Sequence, residues 1–305
     1  MRVVGVGQCS LDYLAVVDSY PAVDTKKEVL EWHEQCGGPV ATALVTLSRL
    51  GIPCTFFGIT GDDHAGEKIV LSLKNEGIDT DGLLKRRNAT SQLAFIAIER
   101  EAAKRTIFWK RPSGAALKRE ELGPDFLEDT AFLLLDGLMR DASLYAAMKA
   151  RELNIPVMLD AGRERPGILD IAQLSDYLIA SEEFAEDLGW GIDHEALNKE
   201  KERFGVKALT ITLGERGSIT VSDDKLIQIP AFRVKAIDTT GAGDVFHGGY
   251  AYGLLKRWNL EDTIRFASAV AAIKCTKIGG RAGIPLFSEV KHFLSEKGYS
   301  VTPDL

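Results

Sequence analysis

Short apolar runs alternate with segments of helical periodicity along most of this 305-residue chain. The run at residues 2–8 reads RVVGVGQ and the run at 53–61 reads PCTFFGITG, and segments typical of helices lie at 38–51 and 64–77. Strands that are apolar on both faces and are joined through helices form parallel sheets with helices packed on each side. The sequence therefore predicts an α/β fold, with a mostly parallel central sheet between two helical layers. Further strands are predicted at 131–137, 155–162, 176–181 and 206–214, and further helices at 143–154, 241–257, 260–277 and 286–296.

Two stretches, residues 13–36 and 90–111, interrupt this alternation of strands and helices. In each stretch apolar and polar side chains alternate, as in KKEVLEWHEQ and KRTIFWK, which is typical of half-exposed antiparallel strands. Such strands do not fit a parallel sheet that is buried on both faces. We therefore expect residues 1–305 to form a single domain in which the two insertions build a separate small β-sheet, placed as a lid over the edge of the core.

The composition argues against several functional classes. A net charge of −7 does not suit a general nucleic-acid binder, and no apolar run is long enough to cross a membrane. The chain starts with a predicted strand, so we expect no signal peptide. The cysteines are scattered and form no CxxC pair; they are Cys9, Cys36, Cys54 and Cys275. This spacing argues against disulfides and a zinc site, and it predicts free thiols in a cytoplasmic protein.

The segment DTTGAGDVF, residues 238–246, combines flexible glycines with a carboxylate at the predicted start of a helix. The backbone N–H groups of Gly241, Ala242 and Gly243 would be open there, and the helix dipole adds partial positive charge, so the segment predicts an anion hole. Asp244 follows directly and can take a proton from a hydroxyl group while the amides stabilise a transferred phosphoryl group. The alternative is that Asp244 only caps the helix.

The same segment resembles the C-terminal signature of the ribokinase-like, PfkB-type carbohydrate kinases, in which Asp-Thr-x-Gly-Ala-Gly-Asp precedes a helix. Four other segments resemble family motifs in the same order along the chain: VGVGQCSLD, CGGPVATALVTLSRLG, GITGDDHAGEKI and ITLGERGS. The resemblance covers nearly the whole chain. It implies a ribokinase-like three-layer α/β/α core, and an enzyme that uses ATP and Mg²⁺ to phosphorylate a hydroxyl group of a sugar or sugar-like molecule. It also implies a homodimer formed through the lid.

The resemblance also assigns roles to individual residues. Asp244 would be the catalytic base, and the amides of Gly241, Ala242 and Gly243 would form the anion hole. The residues implied in ATP binding are Ser181, Thr212, Gly214, Gly217 and Thr240. Those implied in binding the acceptor are Asp12, Gly37, Gly38, Thr42, Lys26 and Trp109. Asp238 and Thr240, together with the loop at 277–285, match positions that hold a monovalent cation such as K⁺ in many members.

Some residues depart from the family pattern. Ser181 and Phe184 stand where Asn and Glu are usual, so the handling of Mg²⁺ would rely on water or on Glu182. Thr42 replaces an Asn that many sugar kinases carry, which shortens one contact with the acceptor. His247 stands where Asn is common, and we expect it to pack inside the helix.

The sequence leaves the acceptor open. The C-terminal third resembles that of sulfofructose kinases, and the lid segments SYPAVD and RTIFWKRPS resemble those of ketohexokinases. Trp109 and Leu138, however, stand where a sulfosugar enzyme of this group would carry polar or basic contacts. Basic residues outnumber acidic ones between Lys85 and Arg111. This stretch is either an electropositive lid over an anionic acceptor or a solvated hairpin whose charges protect an exposed sheet edge.

Other functions fit parts of the sequence. A nucleoside kinase would share the fold and the chemistry, whereas a non-catalytic, ligand-binding regulatory relative would not need an intact Gly-Ala-Gly-Asp segment. GVGQCS could begin a dinucleotide-binding fold, but Ser10 stands where that fold needs its third glycine. Turnover of ATP with sugars, nucleosides and sugar phosphates separates these functions.

Overall fold

The computed structural model describes residues 1–101 and 103–300, so residue 102 and residues 301–305 of the predicted single domain lie outside the described part. The described strands are β1 (Arg2–Val6), β2 (Ser10–Val17), β3 (Glu31–Gly37), β4 (Cys54–Gly61), β5 (Leu83–Arg86), β6 (Leu93–Glu99), β7 (Lys104–Lys110), β8 (Thr130–Leu135), β9 (Val157–Ala161), β10 (Tyr177–Ser181), β11 (Ala208–Thr212), β12 (Ser218–Ser222) and β13 (Lys225–Ile229). The described helices are α1 (Pro39–Arg49), α2 (His64–Asn75), α3 (Arg140–Glu152), α4 (Ile168–Ala172), α5 (Glu182–Asp187), α6 (His194–Phe204), α7 (Ala242–Leu255), α8 (Leu260–Lys274) and α9 (Phe287–Glu296).

The central sheet has nine strands in the order β13-β12-β11-β10-β9-β8-β1-β4-β5. All neighbours from β11 to β5 pair in parallel, and only β12 and β13 at one edge add antiparallel pairs. The predicted α/β fold with a mostly parallel sheet is therefore confirmed. The two antiparallel edge strands were not predicted from the sequence.

Side chains of the central strands point alternately into two hydrophobic cores, one on each face of the sheet. On β8, Phe132 and Leu134 belong to the core that is covered by α1, α2, α7, α8 and α9. Leu133 and Leu135 belong to the core that is covered by α3, α4, α5 and α6. The helices thus form the two outer layers of the predicted three-layer core.

A second sheet of four strands, in the order β3-β2-β6-β7, lies apart from the central sheet. Its inner face carries Leu14, Val16, Ile96 and Ile98, which pack against Ile278 of the core. The predicted separate small sheet is therefore confirmed, whereas the lid role of the insertions near 13–36 and 90–111 stays a prediction. The pair β2–β6 is parallel rather than antiparallel, because β2 follows β1 and β6 follows β5, so both leave the carboxyl edge of the central sheet in the same direction.

All four cysteines are free and buried, as the spacing predicted. Burial raises the pKa of the Cys9 thiol to about 12, so this side chain stays a neutral thiol. Burial also raises the pKa of Cys36, Cys54 and Cys275. These thiols behave as small core residues, and the cytoplasmic location stays a prediction.

Helix α7 is buried along most of its length, from Val245 to Gly253. It packs between α1 and α8, which explains why it is apolar on all sides. No helix in the described part of the chain is long and apolar enough to cross a membrane. Glycines allow the close approach: a Cβ at Gly248 would lie 2.6 Å from Cβ of Thr46 and 2.7 Å from the carbonyl oxygen of Ala43.

At Gly248, helix packing and helix propensity predict stability changes of opposite sign for a substitution by alanine. Gly248→Ala should lower the free energy of unfolding by about 1–3 kcal/mol, because the new methyl group overlaps α1. Propensity alone would instead stabilise the helix by about 1 kcal/mol. Chemical denaturation measures the difference. Gly243→Ala, on the same helix, is the matched control because its Cβ would meet nothing within 4 Å. Equal stability changes in both variants would contradict the packing argument.

Candidate active site

Acidic side chains meet at the carboxyl edge of the central sheet. The strand order turns back at β1, which lies between β4 and β8, and open α/β sheets bind ligands at such a switch point. Asp136 follows β8 there and accepts hydrogen bonds from the amides of Gln8 and Leu138, at 2.8 and 2.9 Å. Burial, with a smaller contribution from the nearby Asp160 carboxylate on β9, raises the pKa of Asp136 to about 7.

Asp244 lies in the first turn of α7, beside this acidic edge. The helix begins at Gly241, whose φ of 72° is left-handed, and no side-chain hydrogen bond caps it. Capping by Asp244, the alternative left open by the sequence, is therefore not seen. Burial raises the pKa of Asp244 to about 6, and Asp160 raises it as well, while His247, Arg105 and Arg281 act against the increase. A carboxylate with such a pKa is a stronger base than an ordinary aspartate and is still mostly ionised at pH 7.

The predicted anion hole is partly open. A side chain at Gly243 would meet nothing within 4 Å, so its backbone faces free space. The amide of Ala242, in contrast, donates to the carbonyl oxygen of Thr239 at 3.2 Å. His247 lies beneath this turn with Nδ1 2.7 Å from the carbonyl oxygen of Gly243 and 3.5 Å from Oδ2 of Asp160. The packing role predicted for His247 fits these contacts, and they also fix the position of the turn.

The residues predicted to bind the acceptor lie mostly together. Asp12, on β2, accepts a hydrogen bond from Oγ of Ser10 at 2.6 Å, and a Cβ at Gly37 would overlap its carboxylate. Gly38 has a φ of 101° and begins α1, where Thr42 lies in the first turn. Burial raises the pKa of Asp12, while Ser10 and the guanidinium of Arg281 lower it. The Arg281 guanidinium thus lowers the pKa of both Asp12 and Asp244 relative to burial alone.

Trp109 lies in the same row of the lid as Asp12. Asp12 pairs with Ala94 and Ala94 pairs with Trp109, and side chains in such a row share one face of the sheet. The guanidinium of Arg111 lies 4.9 Å from the centre of the Trp109 ring. Lys26 is placed in the exposed connection between β2 and β3. The structure thus places Trp109 on the same face of the small sheet as Asp12, and it places Lys26 outside the strands that form this face.

The residues predicted to bind ATP follow two neighbouring strands. Ser181 ends β10 directly opposite Thr212 of β11. Oγ of Ser181 accepts from the amide of Phe184 and donates to the carbonyl oxygen of Gly162, so it caps α5. Gly217 has a φ of 94°, and a side chain there would overlap the backbone of β13. Gly214 begins the short turn that leads to Gly217. Glu182, proposed from the sequence as a substitute near Mg²⁺, pairs with Arg216.

Comparison with known proteins identifies the family. Residues 1–286 match the pfkB family of carbohydrate kinases. This chain belongs to the pfkB family. It is 29% identical to fructokinase-1 of Zea mays, over 96% of this chain and 98% of the relative. It is 26% identical to the ribokinase of Bacillus subtilis, over 95% and 98% of the two chains.

Solved structures support the same fold. A structure from Agrobacterium tumefaciens that is classed as a ribokinase superposes with a TM-score of 0.89 at 26% identity, covering 97% of this chain and 98% of the other. A structure from E. coli classed as ribokinase II, solved with ATP and Mg²⁺, has a TM-score of 0.86 at 20% identity and covers 97% and 99%. The ribokinase-like fold of this pfkB kinase is therefore confirmed. The finer resemblance to sulfofructose kinases and ketohexokinases stays a prediction, since the relatives named here are fructokinase and ribokinase.

Two cationic residues of this pfkB kinase were missed from the sequence. Arg105, on β7 of the lid, donates from Nη1 to Oγ1 of Thr239 at 2.8 Å and so reaches the turn before α7. Arg281 is buried and donates to Oγ1 of Thr42 at 3.2 Å and to the carbonyl oxygen of Gly37 at 2.9 Å. Arg105 was counted only as one charge in the basic stretch, and Arg281 only as part of a loop. Neither contact has a signal in the sequence.

The free space at Gly243 gives a direct test of the anion hole. Gly243→Val should lower kcat by about 10²- to 10³-fold, because the side chain would block amide access to a transferred phosphoryl group. The KM for ATP and the melting temperature should change little, since a Cβ there meets nothing within 4 Å. Steady-state kinetics and thermal unfolding measure both effects. Wild-type kcat in this variant would show that the amides are not used.

Proposed function

We propose that this pfkB kinase transfers a phosphoryl group from ATP to a hydroxyl group of a sugar or sugar-like molecule, with Asp244 as the general base. The observation that carries the proposal is the position of the partly buried Asp244 carboxylate. It lies at the start of α7, where no side-chain hydrogen bond caps the helix, and its pKa is raised to about 6. Asp244 takes the proton of the acceptor hydroxyl as the hydroxyl oxygen bonds to the terminal phosphorus atom of ATP, and the bond from that phosphorus to the bridging oxygen breaks to release ADP. The amides of residues 241–243 stabilise the charge on the group in transit.

ATP would lie along the ends of β10 and β11, beside Ser181, Thr212, Gly214 and Gly217. Gly214 has a left-handed φ and free space where a side chain would project, so it would let a phosphate approach the backbone there. Mg²⁺ would neutralise phosphate charge, and it is commonly held by one or two carboxylates together with the phosphates themselves. Asp160, which acts electrostatically on both Asp136 and Asp244, fits this role. Arg105 would then contact the transferred group from the lid side.

The acceptor would bind between the lid and α1. Asp12 offers a carboxylate that binds sugar hydroxyls, and Trp109 in the same row offers a flat apolar face. Gly37 lets the Asp12 carboxylate lie against the start of α1, since a Cβ there would be 2.1 Å from Oδ2 of Asp12. Gly38 lets the chain pass close to the carbonyl oxygen of Gln8. A nucleoside would use the same groups, so a panel of sugars, nucleosides and sugar phosphates is the first experiment. ADP release that depends on one acceptor supports the proposal, and binding of acceptors without any ATP turnover contradicts it.

The base is tested by Asp244→Asn together with a pH profile. The variant keeps the size of the side chain but cannot accept a proton, so kcat should fall by about 10²- to 10⁴-fold. Wild-type kcat/KM should fall below about pH 6, where Asp244 becomes protonated. Because folding raises this pKa, ionisation of Asp244 costs stability as the pH rises through about 6. The Asn variant should therefore unfold at a higher temperature than wild type above pH 6. Near-normal kcat with a confirmed acceptor would contradict the catalytic role.

We also propose that two copies of the kinase associate through the outer face of the lid. Four rings form an outer aromatic cluster, Tyr13, Trp32, Phe95 and Phe108, with neighbouring ring centres 5.9, 5.9 and 6.2 Å apart. Trp32 is 56% exposed and Phe108 is 61% exposed. A contiguous aromatic surface of this kind is typical of an interface between protein chains, and a second copy is the partner that the resemblance implies.

The association is tested by Phe108→Asp. We expect wild type to sediment as a dimer and this variant as a monomer, because the new charge would be buried between two lids. Leu71→Asp is the matched control, since Leu71 on α2 is 60% exposed but does not belong to the outer aromatic cluster. A wild-type protein that sediments as a monomer at micromolar concentration, or equal effects of both substitutions, would contradict the proposal.

A further inference from the structure

Lys274, the last residue of α8, is fully buried. An ammonium group without solvent is unfavourable unless polar groups compensate for it. Burial lowers the pKa of Lys274, and the nearby carboxylate of Asp238 opposes this change. Lysines near the end of a helix usually extend into water, where they still interact with the helix dipole. A buried one at this position therefore calls for a structural or functional partner.

The partner of Lys274 is the turn that precedes α7. Nζ of Lys274 donates to the backbone carbonyl oxygen of Asp238 at 2.9 Å. The carboxylate of Asp238 is buried as well: Oδ1 accepts from the amide and Oγ1 of Thr240, at 2.8 and 2.6 Å. Oδ2 accepts from the amide of Gly279 at 2.7 Å. One network thus joins the end of α8, the loop at 277–285 and the turn at 238–241.

This network fixes the start of α7. Gly241 follows directly after Thr240, and its backbone lies so close to the loop that a Cβ there would be 3.0 Å from Cα of Gly280. The left-handed φ of Gly241 sets the direction of the amides of Ala242 and Gly243. A shift of Asp238 would therefore move the anion hole as well.

The same network bears on the predicted monovalent cation. The resemblance assigned that cation to Asp238 and Thr240 together with the loop at 277–285. Both carboxylate oxygens of Asp238, however, already accept from protein donors, and Oγ1 of Thr240 donates to one of them. The backbone carbonyl of Asp238 takes the ammonium of Lys274. A hard cation such as K⁺ needs several oxygen ligands that are not engaged in this way. The donor set around Asp238 therefore fits an ammonium group better than it fits an added ion.

We propose that the ammonium of Lys274 is a built-in cation, which holds the turn at 238–241 and so makes the anion hole independent of added K⁺. Lys274 is then a positioning residue, because it acts through Asp238 and touches neither substrate. The inference rests on the proposed kinase function for its kinetic consequence. Its structural consequence, that an added cation has no site beside Asp238 in the wild-type protein, does not require turnover.

The first experiment compares wild type in potassium chloride and in tetramethylammonium chloride at equal ionic strength. We expect the same kcat and the same melting temperature in both salts. Stimulation of kcat by K⁺ of more than about tenfold, the size of effect that a misplaced catalytic group produces, would overturn the inference.

The second experiment removes the charge in two ways. Lys274→Ala opens a space beside Asp238, and Lys274→Met removes the charge but fills most of that space. Both variants should lose about 10- to 100-fold in kcat, because the amides are no longer held in place. Potassium or ammonium chloride should restore kcat and raise the melting temperature of the Ala variant, but not those of the Met variant. A purely packing role for Lys274 would give no recovery with salt and near-normal kcat in the Met variant, and this result would overturn the inference.

Lys291→Met is the control, since Lys291 is exposed on α9. It should keep the kcat, the melting temperature and the salt response of wild type. Failure of the Lys274 variants to fold leaves the wild-type salt comparison as the deciding measurement. Absence of ATP turnover with every acceptor would defeat the proposed function, whereas the melting temperatures of wild type and the Ala variant in the two salts still test Lys274.

Discussion

The start of α7 is the constraint on which the other features of the site depend. The Asp244 carboxylate lies there beside a turn that is open at Gly243, and an ionised carboxylate is unfavourable away from solvent unless a ligand or a counter-charge is present. The helix cannot shift to relieve this, because it is buried from Val245 to Gly253 between α1 and α8. Gly248, which has no side chain, lets the backbone of α7 approach α1 closely. The hydrophobic core therefore determines the position of Asp244 to within the tolerance of side-chain packing.

Charge around this point is balanced from several directions. Asp136 and Asp160 lie on the sheet edge, and the carboxylate of Asp160 helps to raise the pKa of both Asp136 and Asp244. Arg105 comes from the lid and Arg281 from the loop before α9, and both act against the increase at Asp244. Because Arg105 belongs to the lid, the basicity of Asp244 depends on the position of the lid over the core. Closure over a substrate would thus change the electrostatics as well as exclude water.

Local patterns in the sequence were sufficient for the features that depend on local physics. The start of α7 follows from the glycines at 241 and 243, and the lid follows from the alternation of side chains in its strands. Strands β12 and β13 were missed because the turn of their hairpin has no common sequence signal. The turn is formed by Asp223 and Asp224, with φ of 46° and 57°, whereas Asn-Gly is the usual pair at such positions. Lys274 was missed for a different reason: a lysine at the end of a helix predicts exposure, and its burial results from contacts with Asp238, 36 residues away.

The lid joins the two proposed surfaces through its register. Trp109 and Phe108 are neighbours on β7, so they point to opposite faces of the sheet. Phe108 lies against Phe95 in the outer aromatic cluster, and Trp109 lies in the row of Asp12 on the inner face. A slip of one residue would exchange the two rings and would turn Arg105 away from Thr239. The proposed acceptor contact of Trp109, the contact of Arg105 with Thr239 and the proposed association through Phe108 therefore depend on one pairing, that of β6 with β7.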